Sequence, residues 1–135
     1  MKRILLVSHS HFATGTKNAI ELLLGKQNNL FAIAAYEDNS DIELVLNDFM
    51  DNSNYEQTLV LTDLFGGSVN TFVSKYLSES VFVVAGYNLA LVLDLLLKEE
   101  PFSNESIRAS IQQAQNAIKF MNDEVSKNEQ ENTFF

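Results

Sequence analysis

The chain has 135 residues, 46% of them hydrophobic, enough for one domain around a single core and too apolar for a disordered polymer. Asp and Glu total 18 against 9 Lys and Arg, and the resulting charge of −9 excludes the basic face that a nucleic-acid partner needs while suiting partners with basic patches. There are no cysteines, which excludes disulfide and thiolate chemistry and fits a reducing cytoplasm.

Lys2 and Arg3 precede the apolar run Ile4 to Val7, which is too short for the core of a signal peptide and reads instead as a parallel strand buried on both faces. After Ser8-His9-Ser10-His11, a helix is predicted from about Ala13 to Leu24. Phe12, Thr16, Ala19, Ile20, Leu23 and Leu24 lie on one side of it, and Gly25 stands where a C-terminal cap belongs. Leu30 to Ala34 is a second strand. Ser40-Asp41-Ile42-Glu43 reads as a capping-box start for a second helix with an apolar face of Ile42, Val45, Leu46, Phe49 and Met50.

Thr58 to Leu61 is a third strand. It runs into Thr62-Asp63-Leu64-Phe65-Gly66-Gly67-Ser68-Val69-Asn70 and then a helix over Thr71 to Leu77, where Phe72, Val73, Tyr76 and Leu77 recur at helical spacing. Val81 to Ala85 is a fourth strand, ended by Gly86. Leu89 to Leu97 is a helix with eight of nine positions apolar, too short to span a bilayer. Burying each such side chain is worth about 1.5–3 kcal/mol, so more than one neighbour should cover it, a second subunit among the candidates. Pro101 breaks the chain. Ser103 then caps a last helix with Ile107, Ile111, Ala114, Ile118 and Met121 on one stripe. From about Glu124 the chain is polar until Phe134-Phe135, a tail that is either frayed or supplies an edge strand.

Strands alternating with helices at this spacing predict one α/β domain over residues 1–135, with a mainly parallel central sheet flanked by helices on both faces and no internal repeat. Ligands of such sheets bind beyond the carboxyl ends of the strands, where His9, Asp63 and Gly86 follow strands one, three and four. A strand running through an Asp and a Gly pair into a helix suits an anion: the glycines admit close backbone approach, and the helix start offers N–H groups. Alone, the Gly pair reads equally well as a tight turn. The Gly-Lys-Ser/Thr of a P-loop is absent, which argues against nucleotide hydrolysis.

A carboxylate on imidazole Nδ1 fixes the tautomer and leaves Nε2 as the nucleophile. Asp63 is the carboxylate placed to do this for His9, or else it caps its own turn. His9-x-His11 with Asp63 has the spacing of a three-ligand metal site for a metal-dependent hydrolase, a weaker reading because no other His and no Cys supports it. Ser8 or Ser68 with His9 and Asp63 could be drawn as a hydrolase triad, but no nucleophile elbow is present. A sensor that binds phosphate or a nucleotide without a covalent bond is a further rival.

Ser8-His9, Leu22-Leu23-Leu24-Gly25, Thr62 to Ser68 and Gly86-Tyr87-Asn88-Leu89, in this order across nearly the whole chain, resemble the mannose-type enzyme IIA domains of the bacterial phosphoenolpyruvate-dependent sugar phosphotransferase system. The resemblance implies a cytoplasmic phosphotransferase with a phosphohistidine intermediate and neither cofactor nor metal. His9 would accept phosphate from the carrier HPr and pass it to a sugar-specific enzyme IIB on a separate chain, for sugar uptake and phosphorylation. Asp63 would orient His9, and Leu64, Phe65, Gly66, Gly67 and Ser68 would bind the phosphate. It also implies a homodimer that exchanges a C-terminal segment, without membrane insertion.

The chain departs from the family pattern at Ser10, where Gly usually follows the active histidine, and at Val69 and Ala90, where Pro is usual. Ser8-His9-Ser10 is also similar to the phosphotransferase subunit of a dihydroxyacetone kinase system, a relative that typically lacks the Gly-Gly-Ser loop.

Overall fold

Ile4, Leu5, Leu6 and Val7 are all shut off from solvent, so strand β1 (Lys2–His9) has an apolar neighbour on each face. A computed structural model describes residues 1–36, 41–51, 54–99 and 101–132. Around β1 it sets β2 (Leu30–Ala35), β3 (Gln57–Thr62) and β4 (Val81–Ala85) in one four-stranded sheet of order β2-β1-β3-β4. Every pairing is parallel. The predicted α/β architecture is therefore present, with helices on both faces.

Alternation along the strands assigns the two faces. Ile4 and Leu6 of β1 and Leu59 and Leu61 of β3 pack with Ala13 and Ile20 of α1 (Phe12–Leu24), Leu91, Val92 and Leu95 of α4 (Leu89–Leu97) and Ile107 and Ala114 of α5 (Asn104–Asn116). Leu5, Val7 and Val60 point the other way, onto Ile42 and Leu46 of α2 (Ile42–Asp51) and Val69 and Val73 of α3 (Ser68–Val73). Such a sheet reads as unbroken apolar runs because both faces are covered.

The boundaries follow from local chemistry. Gly25 ends α1 with φ of 81° and donates its N–H to the Glu21 carbonyl. Asp41 caps α2, its carboxylate accepting the Glu43 N–H at 2.9 Å, while Ser40 of the expected capping box lies outside the described residues. The helix expected over Thr71 to Leu77 starts earlier, at Ser68, and tightens into a 3-10 turn over Ser74–Tyr76. After Pro101, the Gln57 side-chain amide holds Phe102 through both its backbone N–H, at 2.7 Å, and its carbonyl, at 2.8 Å. Ser103 and Ser106 exchange side-chain bonds in a reciprocal box that opens α5.

The apolar α4 lies between α1 and α5 of its own chain, so more than one neighbour covers it as expected, while its end residue Leu97 is left exposed. The C-terminal expectation needs correction. The last helix does not carry one stripe from Ile107 to Met121: α5 ends at Asn116, and a separate helix α6 runs over Met121–Asn132. Ile118 and Met121 are exposed. The last turn of α5 tightens through bonds from Ala117 N–H to the Ala114 carbonyl and from Ile118 N–H to the Gln115 carbonyl. The polar segment from Glu124 is thus helical as far as Asn132, while Phe134 and Phe135 lie outside the described residues. Among the described residues, no helix is long and apolar enough to cross a membrane.

Candidate active site

With the order β2-β1-β3-β4, the chain steps from β1 to one side and then returns past it to β3, so the direction of winding reverses between β1 and β3. The crevice of a parallel sheet opens at such a point, beyond the carboxyl ends of the strands. His9 is the last residue of β1, and Asp63 follows the last residue of β3. Val7 is paired with Thr62 in the sheet, which brings the two strand exits side by side.

One oxygen of Asp63 serves His9 twice. Asp63 Oδ2 accepts the His9 backbone N–H at 2.9 Å and lies 2.9 Å from the ring Nδ1. An ionised carboxylate can only accept, so the proton of a neutral imidazole sits on Nδ1 and the lone pair on Nε2. Asp63 is largely covered, with its side chain 12% exposed, whereas that of His9 is 40% exposed. Burial alone would push the Asp63 carboxyl up. The bonds donated by the His9 backbone and ring outweigh it and hold the group below the ordinary Asp value. Its other oxygen, Oδ1, is buried and has no hydrogen-bond partner among the described residues.

The loop after Asp63 folds over the ring edge. Gly66 turns with φ of 79°, a conformation that costs a side chain but not glycine. Gly67 then passes so close that a Cβ built on it would lie 3.4 Å from His9 Cε1, the carbon between the two ring nitrogens. Leu64 and Phe65 turn their side chains largely to solvent, so what they offer a ligand at the ring is backbone. Ser68 opens α3, and Thr62 Oγ1 donates to Asn70 Oδ1 at 3.3 Å, tying this helix to the end of β3. Gly86 and Tyr87 both donate their N–H groups to the Thr62 carbonyl, which fixes the neighbouring rim.

The expected residues do not all converge. His9, Asp63, Gly67 and Ser68 come together. Ser8 is fully buried, and its Oγ accepts the Ala13 N–H at 2.6 Å, which anchors the start of α1 and removes it as a nucleophile. His11 is an exposed residue at the N-terminus of α1. Among the described residues, no three His, Asp or Glu side chains are arranged to hold a metal ion, so the site drawn from His9, His11 and Asp63 is not assembled.

One residue of the site escaped the sequence reading. Tyr36 follows β2 on the same rim, its ring centroid 5.5 Å from that of His9 and tilted by 31°. Its hydroxyl is 2.7 Å from Ser68 Oγ. The available signal was its place at the end of a predicted strand, the position that drew attention to His9 and Asp63.

Residues 3–115 match the sequence model of the mannose-type IIA family described as the PTS system fructose IIA component. No curated protein sequence matches the chain. Among solved structures, a protein of Klebsiella pneumoniae described as a phosphoenolpyruvate-dependent sugar phosphotransferase system permease superposes with a TM-score of 0.86 at 29% identity, covering 92% of this chain and 93% of that one. The PTS IIA protein associated with the fucose utilization operon of Streptococcus pneumoniae gives 0.77 at 25% identity, over 92% and 96%. The mannose/sorbose specific IIA subunit of Enterococcus faecalis gives 0.74 at 25% identity, over 89% and 95%.

Proposed function

We propose that this chain, which belongs to the mannose-type enzyme IIA family of the phosphotransferase system, is a phosphoryl carrier that holds phosphate on His9 Nε2. The observation that carries the reading is the grip of Asp63 Oδ2 on both the backbone N–H and Nδ1 of His9, which leaves Nε2 as the basic nitrogen.

The donor is a phosphohistidine of HPr. The Nε2 lone pair attacks its phosphorus in line, the P–N bond to the donor ring breaks, and that electron pair returns to the donor nitrogen. The His9 proton stays on Nδ1, and the positive charge that develops on the phosphorylated ring is met by Asp63. Transfer of this kind needs positioning and charge stabilisation more than covalent machinery. Leu64, Phe65, Gly66, Gly67 and Ser68 supply backbone N–H groups, and Ser68 a hydroxyl, to the phosphoryl oxygens. A second in-line transfer hands the group to a sugar-specific enzyme IIB, so the chain serves sugar uptake and phosphorylation in the cytoplasm.

The carrier acts as a homodimer. Support comes from β4, an edge strand of the described sheet, which borders a cavity of about 660 Å³ lined in part by Phe82, Val84, Ile107 and Ile111.

The test is phosphotransfer from phosphoenolpyruvate through enzyme I and HPr to wild type, His9→Ala and His11→Ala. Acid-labile label on wild type and His11→Ala, and none on His9→Ala, is the expected result. An unlabelled wild type would overturn the carrier reading.

A further inference from the structure

Two residues leave this rim in a backbone conformation that side chains disfavour: Ser10 with φ of 53° and Tyr36 with φ of 67°. They are neighbours, since the Ser10 N–H donates to the carbonyl of Ala35 at 3.0 Å. A bulky residue at positive φ is an outlier that persists only where its surroundings hold it. Core burial is not what holds Tyr36, because the residue is 53% exposed. Its described contacts are with the site itself: the ring against the His9 imidazole and the hydroxyl 2.7 Å from Ser68 Oγ. Tyr36 therefore bridges the histidine at the end of β1 and the first residue of α3.

We propose that Tyr36 is a positioning residue for phosphoryl transfer, its ring steadying the His9 imidazole and its hydroxyl aiming the Ser68 hydroxyl at the phosphoryl group. The inference rests on the carrier reading given above. Each hydroxyl has one proton to donate. A phosphoryl group presents only acceptors, so when it arrives the Ser68 proton turns to it, and the Tyr36 proton fills the Ser68 lone pair. The phenol is the stronger acid of the two, which favours that direction. Each bond in such a chain strengthens the next. A Cβ on Gly67 would lie 3.4 Å from His9 Cε1, the carbon bonded to both ring nitrogens, and Ser68 is the next residue, so the relay ends beside the imidazole that would carry the phosphoryl group.

The test measures kcat and KM for transfer from phospho-HPr to His9 in wild type, Tyr36→Phe, Ser68→Ala and the double variant. Tyr36→Phe keeps the ring and removes the hydroxyl, and its unfolding midpoint verifies that it folds. The expected result is a kcat lower by about fivefold in Tyr36→Phe, the worth of one neutral hydrogen bond, with KM unchanged. The double variant should then be no slower than Ser68→Ala, because Tyr36 acts through that serine. A wild-type kcat in Tyr36→Phe would overturn the proposal. So would single effects that multiply in the double variant, or a change confined to KM, which would make Tyr36 a docking residue. An unlabelled wild type would instead remove the carrier reading and this inference with it, whereas a labelled wild type beside an unaffected Tyr36→Phe removes this inference alone.

Discussion

Asp63 gives one oxygen to two donors of the same residue, and the consequences can be measured. Asp63→Asn keeps the shape but loses the charge that, in the proposed transfer, meets the developing imidazolium. A hydrogen bond to a charged group is worth about 1.5–3 kcal/mol, so transfer to His9 should slow by roughly ten- to a hundredfold in single-turnover labelling. Because the folded Asp63 carboxyl lies below its unfolded value, its contribution to stability is complete above the ordinary Asp pKa of about 3.9 and is lost as pH falls through the depressed folded value. The stability gap between wild type and Asp63→Asn, read from urea unfolding, should therefore be open at about pH 7 and close steadily as the medium is acidified below about pH 4. Ser10 provides a second measurement. At φ of 53° it pays a conformational cost that glycine does not, so Ser10→Gly should raise the unfolding free energy by a few tenths to about 1 kcal/mol. A lower urea midpoint would show that the serine side chain compensates for its backbone. His9 and Asp63 were legible in the sequence because each ends an apolar run at the same sheet edge. Tyr36 was not, because positive φ is written in residue type only when the residue is glycine.

Asn88 links two helices with one side chain. Its Oδ1 accepts the Leu91 N–H at 2.9 Å, capping α4, and its Nδ2 donates to the Ala114 carbonyl at 2.9 Å near the end of α5. Losing a cap costs about 0.5–2 kcal/mol, and a buried or half-buried hydrogen bond adds about 1. Asn88→Ala should then destabilise the protein by about 2 kcal/mol in urea unfolding. Asn88→Asp, which keeps the cap acceptor and loses the donor to Ala114, should fall between the two. Equal loss in both variants would mean that the bond to α5, and not the cap, is what matters. The same pair of helices marks where sequence reading stopped. The strands, the start of α5 and the stripe through Ile107, Ile111 and Ala114 were legible because they are periodic and capped. The end of α5 was not, because Ala117-Ile118-Lys119-Phe120 contains neither Gly nor Pro and Ile118 and Met121 continue the period. Periodicity records which residues could face a core and is silent on how far that core extends. Residues Ile118 and Met121 have run past it.

At the scale of the whole molecule the dominant physical quantity is the charge of −9. It acts over distance and so belongs to encounter, whereas the contacts of Asp63 with His9 are short and partly covered, and in the proposed transfer would act only once the phosphoryl group had arrived. The two should respond differently to salt. The Debye length falls from about 30 Å at 0.01 M to about 10 Å at 0.1 M, which screens charges on approaching surfaces far more than bonds of 2.9 Å inside a crevice. If a phosphodonor with a basic face is drawn in by this charge, KM for the donor protein should rise by about an order of magnitude over that range while kcat for transfer changes by less than about twofold. Steady-state transfer measured against ionic strength, with a neutral osmolyte as control, distinguishes the cases. A KM indifferent to salt would mean that docking relies on the exposed apolar side chains around the site, Phe12, Leu64 and Phe65 among them, and that the acidic surface takes no part in recognising the donor. A kcat that falls with salt at constant KM would place the charge dependence inside the crevice, on the ionised Asp63 and the ring it holds.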